Sequence, residues 1–159
     1  MGSDHSKTEA LNTEDAPTIR GRCMCGDVRY EITGPMFDVV HCHCESCRRA
    51  VSSPVATYIG VGLERFRYLK GEPTYYQSSP GVKRYFCAVC GSPIAFVGAR
   101  WPGEVHLFHG TLSDPRQWPP TGHAYVDEQV PWFEVCDHLP RFAATAGKGA
   151  KPLRKGPRR

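Results

Sequence analysis

Seven of the eight cysteines in this chain of 159 residues fall into three short motifs: Cys23-x-Cys25, Cys42-x-Cys44-x-x-Cys47 and Cys87-x-x-Cys90. Cys136 stands alone. Two thiolates on one tight turn can converge on a cation. A tetrahedral zinc wants four such ligands at about 2.3 Å, so each short motif must meet another in the fold. Keeping every motif whole pairs Cys23 and Cys25 with Cys87 and Cys90 as a closed four-sulfur site. It leaves Cys42, Cys44 and Cys47 as a second, three-sulfur site. Closed sets of four are structural, whereas three protein ligands with one position left for water or substrate are the catalytic pattern. The triplet also admits a second structural zinc completed by a histidine or water, and a redox or metal-free thiol cluster.

Two neighbours of the triplet are histidines. In an extended segment 41–44, Cys42 and Cys44 share one face and His41 and His43 the other, which argues against either histidine as a fourth ligand. Cys136, beside Trp132 and Phe133, reads as a small buried hydrophobe rather than a ligand.

The rest of the chain favours metal over disulfides. No apolar run of about 18 residues is present for a membrane span, and the first 18 residues lack the basic-then-apolar order of a secretory signal. A cytoplasmic protein is expected, and that compartment keeps thiols reduced. Gly2 and Ser6 fit a short myristoylation pattern, but no second membrane signal accompanies them. Six of the 20 basic residues (Lys148, Lys151, Arg154, Lys155, Arg158 and Arg159) crowd the last twelve positions, leaving the body slightly acidic. Such a tail could touch nucleic acid. It carries no aromatic residue for stacking, so a disordered solubilising end is the simpler reading. The organisation expected is a leader at 1–18, one metal-binding domain at 19–143 and a basic tail at 144–159, the domain being long enough for a single buried core.

Glycine and proline punctuate the body every eight to twelve residues, the spacing of short strands joined by turns. Val28, Tyr30 and Ile32 alternate with Arg29 and Glu31 as one face of a half-buried strand. Further strands are expected at 37–42, 54–61, 66–69, 74–77, 83–86, 94–97, 105–109 and 124–126. A short helix is expected at 45–51, and Ser113-Asp114-Pro115 reads as the start of another. The fold class is therefore mainly β, antiparallel and zinc-pinned, with one or two short helices. The aromatics Tyr58, Phe66, Tyr75, Phe86, Phe96, Phe108, Trp132 and Phe133, most of them within these strands, are assigned to the core.

Five stretches carry a family resemblance: GRCMCGDVRYEI (21–32), HCHCESCRRA (41–50), YQSSPGVKRYFCAVCGSPIAF (76–96), GTLSDP (110–115) and HAYVDEQVPWFEVCDHLPRF (123–142). Together they resemble the glutathione-dependent formaldehyde-activating enzymes, whose domain is shared with centromere protein V. The resemblance implies a β-tent around a zinc held by Cys23, Cys25, Cys87 and Cys90. It implies a second, labile or catalytic zinc at Cys42, Cys44 and Cys47. The activity it implies is carbon–sulfur lyase chemistry, in which the thiol of glutathione adds to formaldehyde, so the expected partners are a small-molecule thiol and an aldehyde.

Three thiolates around Zn²⁺ leave the site at net −1, and a substrate thiolate would add to that charge, so a nearby cation is expected. Arg48 and Arg49 follow Cys47 directly, and Arg48 is the candidate to pair with a glutathione carboxylate or steady a sulfur. His43, His106 and His109 are candidate proton carriers. His106 and His109 have opposite parity along one strand and should not share a pocket. The alternative function is a non-catalytic zinc-binding module whose basic tail engages nucleic acid or another acidic partner. A zinc or redox buffer is a third.

Overall fold

The structure, a computed structural model, describes residues 17–146 and 149–153. The myristoylation pattern, nearly all of the leader and five of the six tail bases lie outside the described residues. The described chain is mainly β, with ten strands in two sheets and one α-helix.

The smaller sheet has the order β1–β2–β5, from Thr18–Arg22, Arg29–Thr33 and Phe66–Lys70. Thr18, expected in the leader, opens its first strand. Alternation decides which side faces inward: Tyr30 and Ile32 are fully buried while Arg29 stays exposed. Glu31 is also buried, and it is satisfied by Arg67 Nε at 2.7 Å and by Arg20 at 3.7 Å.

The larger sheet runs β10–β3–β4–β9–β8–β7–β6. Its strands are β3 (Val39–Cys42), β4 (Ala56–Gly62), β6 (Thr74–Ser79), β7 (Val82–Phe86), β8 (Pro93–Gly98), β9 (Glu104–Phe108) and β10 (Gly122–Ala124). Each expected strand is present within about two residues. One pairing departs from the antiparallel rule, since β10 runs parallel to β3 with His123 opposite His41 and Ala124 opposite Cys42.

One core joins the sheets. Ile19, Val28, Ile32, Ile59, Val61, Ile94 and Leu107 pack in it together with Cys23 and Cys87. The four-cysteine motif residues thus sit at the seam between the two layers. The helix α1 (Glu45–Val51) is as expected, whereas Pro115–Gln117 forms only a single 3-10 turn after Asp114.

Candidate metal centres

The seven clustered cysteines converge in two groups, and within each the sulfurs all lie within 4.8 Å of one another. One contains Cys23, Cys25, Cys87 and Cys90, the other Cys42, Cys44 and Cys47. All are free thiols.

The four-sulfur group is built from two hairpin turns. Cys23 and Cys25 lie in the β1–β2 turn, where the Gly26 N–H donates to Cys23 O at 3.1 Å and Gly26 takes φ +77°. Cys87 and Cys90 lie in the β7–β8 turn, where the Gly91 N–H donates to Cys87 O at 2.9 Å and φ is +73°. Glycine reaches this left-handed region without strain, which lets each turn double back and aim two sulfurs the same way.

Ser92 ties the turns together, its hydroxyl lying 3.2 Å from Cys90 Sγ and accepting from the Met24 N–H at 3.1 Å. The sulfurs of Cys23 and Cys25 are 3.4 Å apart, and those of Cys25 and Cys87 3.8 Å. A tetrahedron of sulfurs at the zinc bond length has an edge of about 3.8 Å, far from the S–S bond of about 2.05 Å. The donor set therefore fits zinc. The Val28 N–H also donates to Cys23 Sγ at 3.3 Å, steadying a thiolate there.

The three-sulfur group is local. Cys42 ends β3, Cys44 caps α1 and Cys47 lies in its first turn, so a strand end and one helical turn bring all three together. The Cys47 N–H donates to Cys44 Sγ at 3.3 Å. Among the described residues no histidine, aspartate or glutamate joins the three. Hydrogen bonds from the Cys42 and Cys44 thiols lower the Cys47 pKa to about 3 against the opposing effect of burial, helped by the Tyr58 hydroxyl and the charge of Arg84. The same hydrogen bonds, with burial, push Cys42 up.

The buried cation beside these sulfurs is Arg84, on β7. It is 8 % exposed, donates from Nη1 to Tyr58 Oη at 3.5 Å and from Nε to Ser78 Oγ at 3.1 Å, and lies over the Phe96 ring. The expected cations sit elsewhere. Arg48 donates from Nε to the His43 carbonyl at 3.0 Å, bracing the backbone between Cys42 and Cys44. Arg49 pairs with Glu45 at 2.7 Å on the exposed side of the helix.

Arg84 was legible in the sequence in principle, because it shares the inward parity of Val82 and Phe86 on a strand that leads directly into Cys87. Tyr125 packs against the same cluster in a left-handed conformation, φ +56°, and its hydroxyl accepts from Arg100 Nη1 at 3.3 Å.

His41 and His43 turn away from the sulfurs into a second polar line that the sequence did not disclose. His43 Nε2 is 2.9 Å from His123 Nδ1, and His123 Nε2 is 2.9 Å from Asp137 Oδ2. The carboxylate fixes His123 as the Nε2–H tautomer, so His43 Nε2–H donates to His123 Nδ1. His43 Nδ1 is left buried and, among the described residues, without a partner. Burial, then the neighbouring His123 and His41, push the His43 pKa down to about 4. Together with the His43 N–H to Ala124 O bond of 3.0 Å, this line fixes the backbone that presents Cys42 and Cys44.

His106 and His109 do not share a pocket. His109 Nε2 donates to Trp118 O at 2.8 Å. The His106 ring stacks on Phe96 at 4.5 Å, and burial pushes its pKa down to about 4. A histidine whose folded pKa lies below its unfolded value of about 6.5 contributes fully above that value and loses its contribution as pH falls toward 4. Between pH 7 and pH 5 the wild type should therefore lose more stability than His106→Phe, less the offset from Glu104, whose Oε2 lies 3.4 Å from His106 Nε2, read from urea unfolding at the two pH values.

Cys136 contradicts its expectation: it is exposed, as is Trp132 at 75 %. Residues 129–140 form no strand or helix to turn Cys136 and Trp132 inward, and Tyr75, also expected in the core, is 50 % exposed on the edge strand β6.

A two-sheet β fold in which two hairpin turns present a complete sulfur cluster, and a strand-to-helix turn a three-sided one, defines the class. The family model for the glutathione-dependent formaldehyde-activating enzyme matches residues 18–128, and the chain belongs to that family. A crystal structure of a Rhodobacter sphaeroides protein, a structural-genomics target, is 27% identical, with a TM-score of 0.52, the match covering 62% of this chain and 93% of that chain. No curated protein matches the chain significantly. No helix among the described residues is long and apolar enough to cross a membrane.

Proposed function

We propose that the chain is a zinc-dependent carbon–sulfur lyase-type enzyme that adds a glutathione-like thiol to formaldehyde or another small aldehyde at Cys42, Cys44 and Cys47. The observation that carries this reading is the three-sided cluster itself, set beside a buried arginine. Its counterpart, Cys23, Cys25, Cys87 and Cys90, would hold a structural zinc. Zinc at three sulfurs supplies a Lewis acid that favours the deprotonated form of an incoming thiol.

The chain's own groups then divide the work. Arg84 and the Tyr58 hydroxyl lie on the Cys47 side and offset the negative charge that three cysteine sulfurs bring. Arg48, through the His43 carbonyl, and the Asp137–His123–His43 line hold the strand-to-helix turn, so that the three sulfurs keep their spacing without moving during reaction. In the addition one S–C bond forms, the carbonyl π bond breaks, and the thiol proton ends on the new hydroxyl oxygen. Holding both reactants at one wall of the fold supplies much of the acceleration.

Cobalt substitution tests the reading. Protein loaded with two cobalt ions should show sulfur-to-metal charge-transfer bands, and glutathione should shift the spectrum of one ion only. Removal of the responsive ion by a mild chelator should abolish S-hydroxymethylglutathione formation, and zinc should restore it. Turnover that persists in chelated protein, or a spectrum indifferent to thiol, would overturn the proposal.

A further inference from the structure

A cavity of about 350 Å³ opens between α1 and the β6–β7–β8 part of the large sheet, lined by Ala50, Tyr76, Arg84, Phe86 and Phe108 among others. Its volume lies within the range of about 300–1,000 Å³ usual for small-molecule sites. Phe108 belongs to the buried cluster that includes Cys42 and Cys47, its ring 4.6 Å from that of Tyr58, so the cavity borders the packing around the three sulfurs.

Arg84 is the unusual member of the lining. A buried charge is costly unless it is paired; Cys47 acts on this guanidinium from the sulfur side, while among the described residues no carboxylate contacts it. Its recorded donations go to two hydroxyls, Tyr58 and Ser78, through Nη1 and Nε. A guanidinium carries five N–H donors in a planar fork, so three remain beyond these two bonds on a side chain that lines the cavity. The Tyr58 hydroxyl that it contacts is also the one that reaches Cys47, which puts the cation one tyrosine away from the sulfurs.

We infer that this cavity is the subsite for a carboxylate of the thiol substrate, with Arg84 as its bidentate partner and the surrounding rings of Tyr76, Phe86 and Phe108 covering the aliphatic chain between carboxylate and sulfur. The inference rests on the thiol-addition reading and narrows it: the enzyme selects thiols that carry an acid group. Arg84 supplies the matching fork for a carboxylate, and a lysine in its place would keep the charge without the paired donors.

The test uses zinc-loaded protein and two readouts. In the first, S-methylglutathione, whose sulfur is blocked, is titrated calorimetrically. It should bind the wild type and bind Arg84→Met about tenfold to a hundredfold more weakly, with Arg84→Lys in between. In the second, formaldehyde turnover is compared for 3-mercaptopropionate and 2-mercaptoethanol. The wild type should favour the acid by about tenfold or more in kcat/KM, and Arg84→Met should lose that preference.

Equal binding of S-methylglutathione to the wild type and to a folded Arg84→Met variant with full zinc content overturns the assignment. Should Arg84→Met fail to fold, Ala50→Leu decides, because it fills the cavity from the helix. Binding should fall about tenfold, and unchanged binding overturns the inference. The two proposals fail separately. Arg84-dependent binding without turnover of any thiol refutes the reaction while supporting the carboxylate site. Turnover with no preference for acidic thiols refutes the carboxylate site alone.

Discussion

Cys87→Ser should yield no soluble, folded protein. Cys87 is 1 % exposed and belongs to the main core as well as to the four-sulfur cluster, whose members come from hairpins in different sheets. A further tie between those hairpins is the hydrogen bond from the Met24 N–H to the Ser92 hydroxyl. A zinc ion held by four thiolates contributes about 10–16 kcal/mol of apparent binding free energy. That equals or exceeds the net stability of about 5–15 kcal/mol typical of a whole domain. Losing one ligand should release the metal, leave the remaining thiols in a partly buried turn and separate the sheets. Soluble yield, metal content and circular dichroism report the outcome, and a soluble variant with a cooperative melt would show that the cluster is dispensable for the fold.

Cys44→Ser should behave in the opposite way, keeping the fold and losing the chemistry. Cys44 caps α1 by accepting the Cys47 N–H, and a serine hydroxyl performs that role at least as well. The stability cost should stay within about 1 kcal/mol. Two sulfurs, however, hold zinc poorly, so the bound metal should fall from two ions to one and thiol–aldehyde turnover by about a thousandfold or more. Metal analysis beside a melting curve and a kinetic assay checks all three expectations. Retained turnover at one metal per chain would remove the three-sulfur cluster from the mechanism.

These two outcomes differ because the clusters differ in their dependence on distant chain, which also set how much could be read beforehand. The strands were legible where side chains alternate, as at Tyr30 and Ile32, and the helix was legible from its short polar run after Cys44. The grouping of cysteines followed from keeping short motifs intact. Arg84 obeyed the same alternation, but its charge made it look like a surface residue, and only the strand parity pointed inward. The His43–His123 pair depends on β10 lying parallel to β3, a pairing between segments some 80 residues apart that local pattern does not encode. Cys136 followed its apolar neighbours Trp132 and Phe133 in the sequence, but hydrophobic composition cannot bury a segment that no sheet or helix orients.

The separation between Cys25 and Cys87, 62 positions, bears on how the molecule comes off the ribosome. The sulfurs at 42, 44 and 47 can gather as soon as the first helix has emerged, whereas the clamp across the two layers must wait until the second hairpin is complete. The outer edge of the strand bearing Cys42 waits longer still, unpaired until the short parallel strand near the end of the domain arrives. A metal ion offered to the nascent chain would thus meet the three-sided cluster first, and the polypeptide spends that interval with an open β-edge next to it.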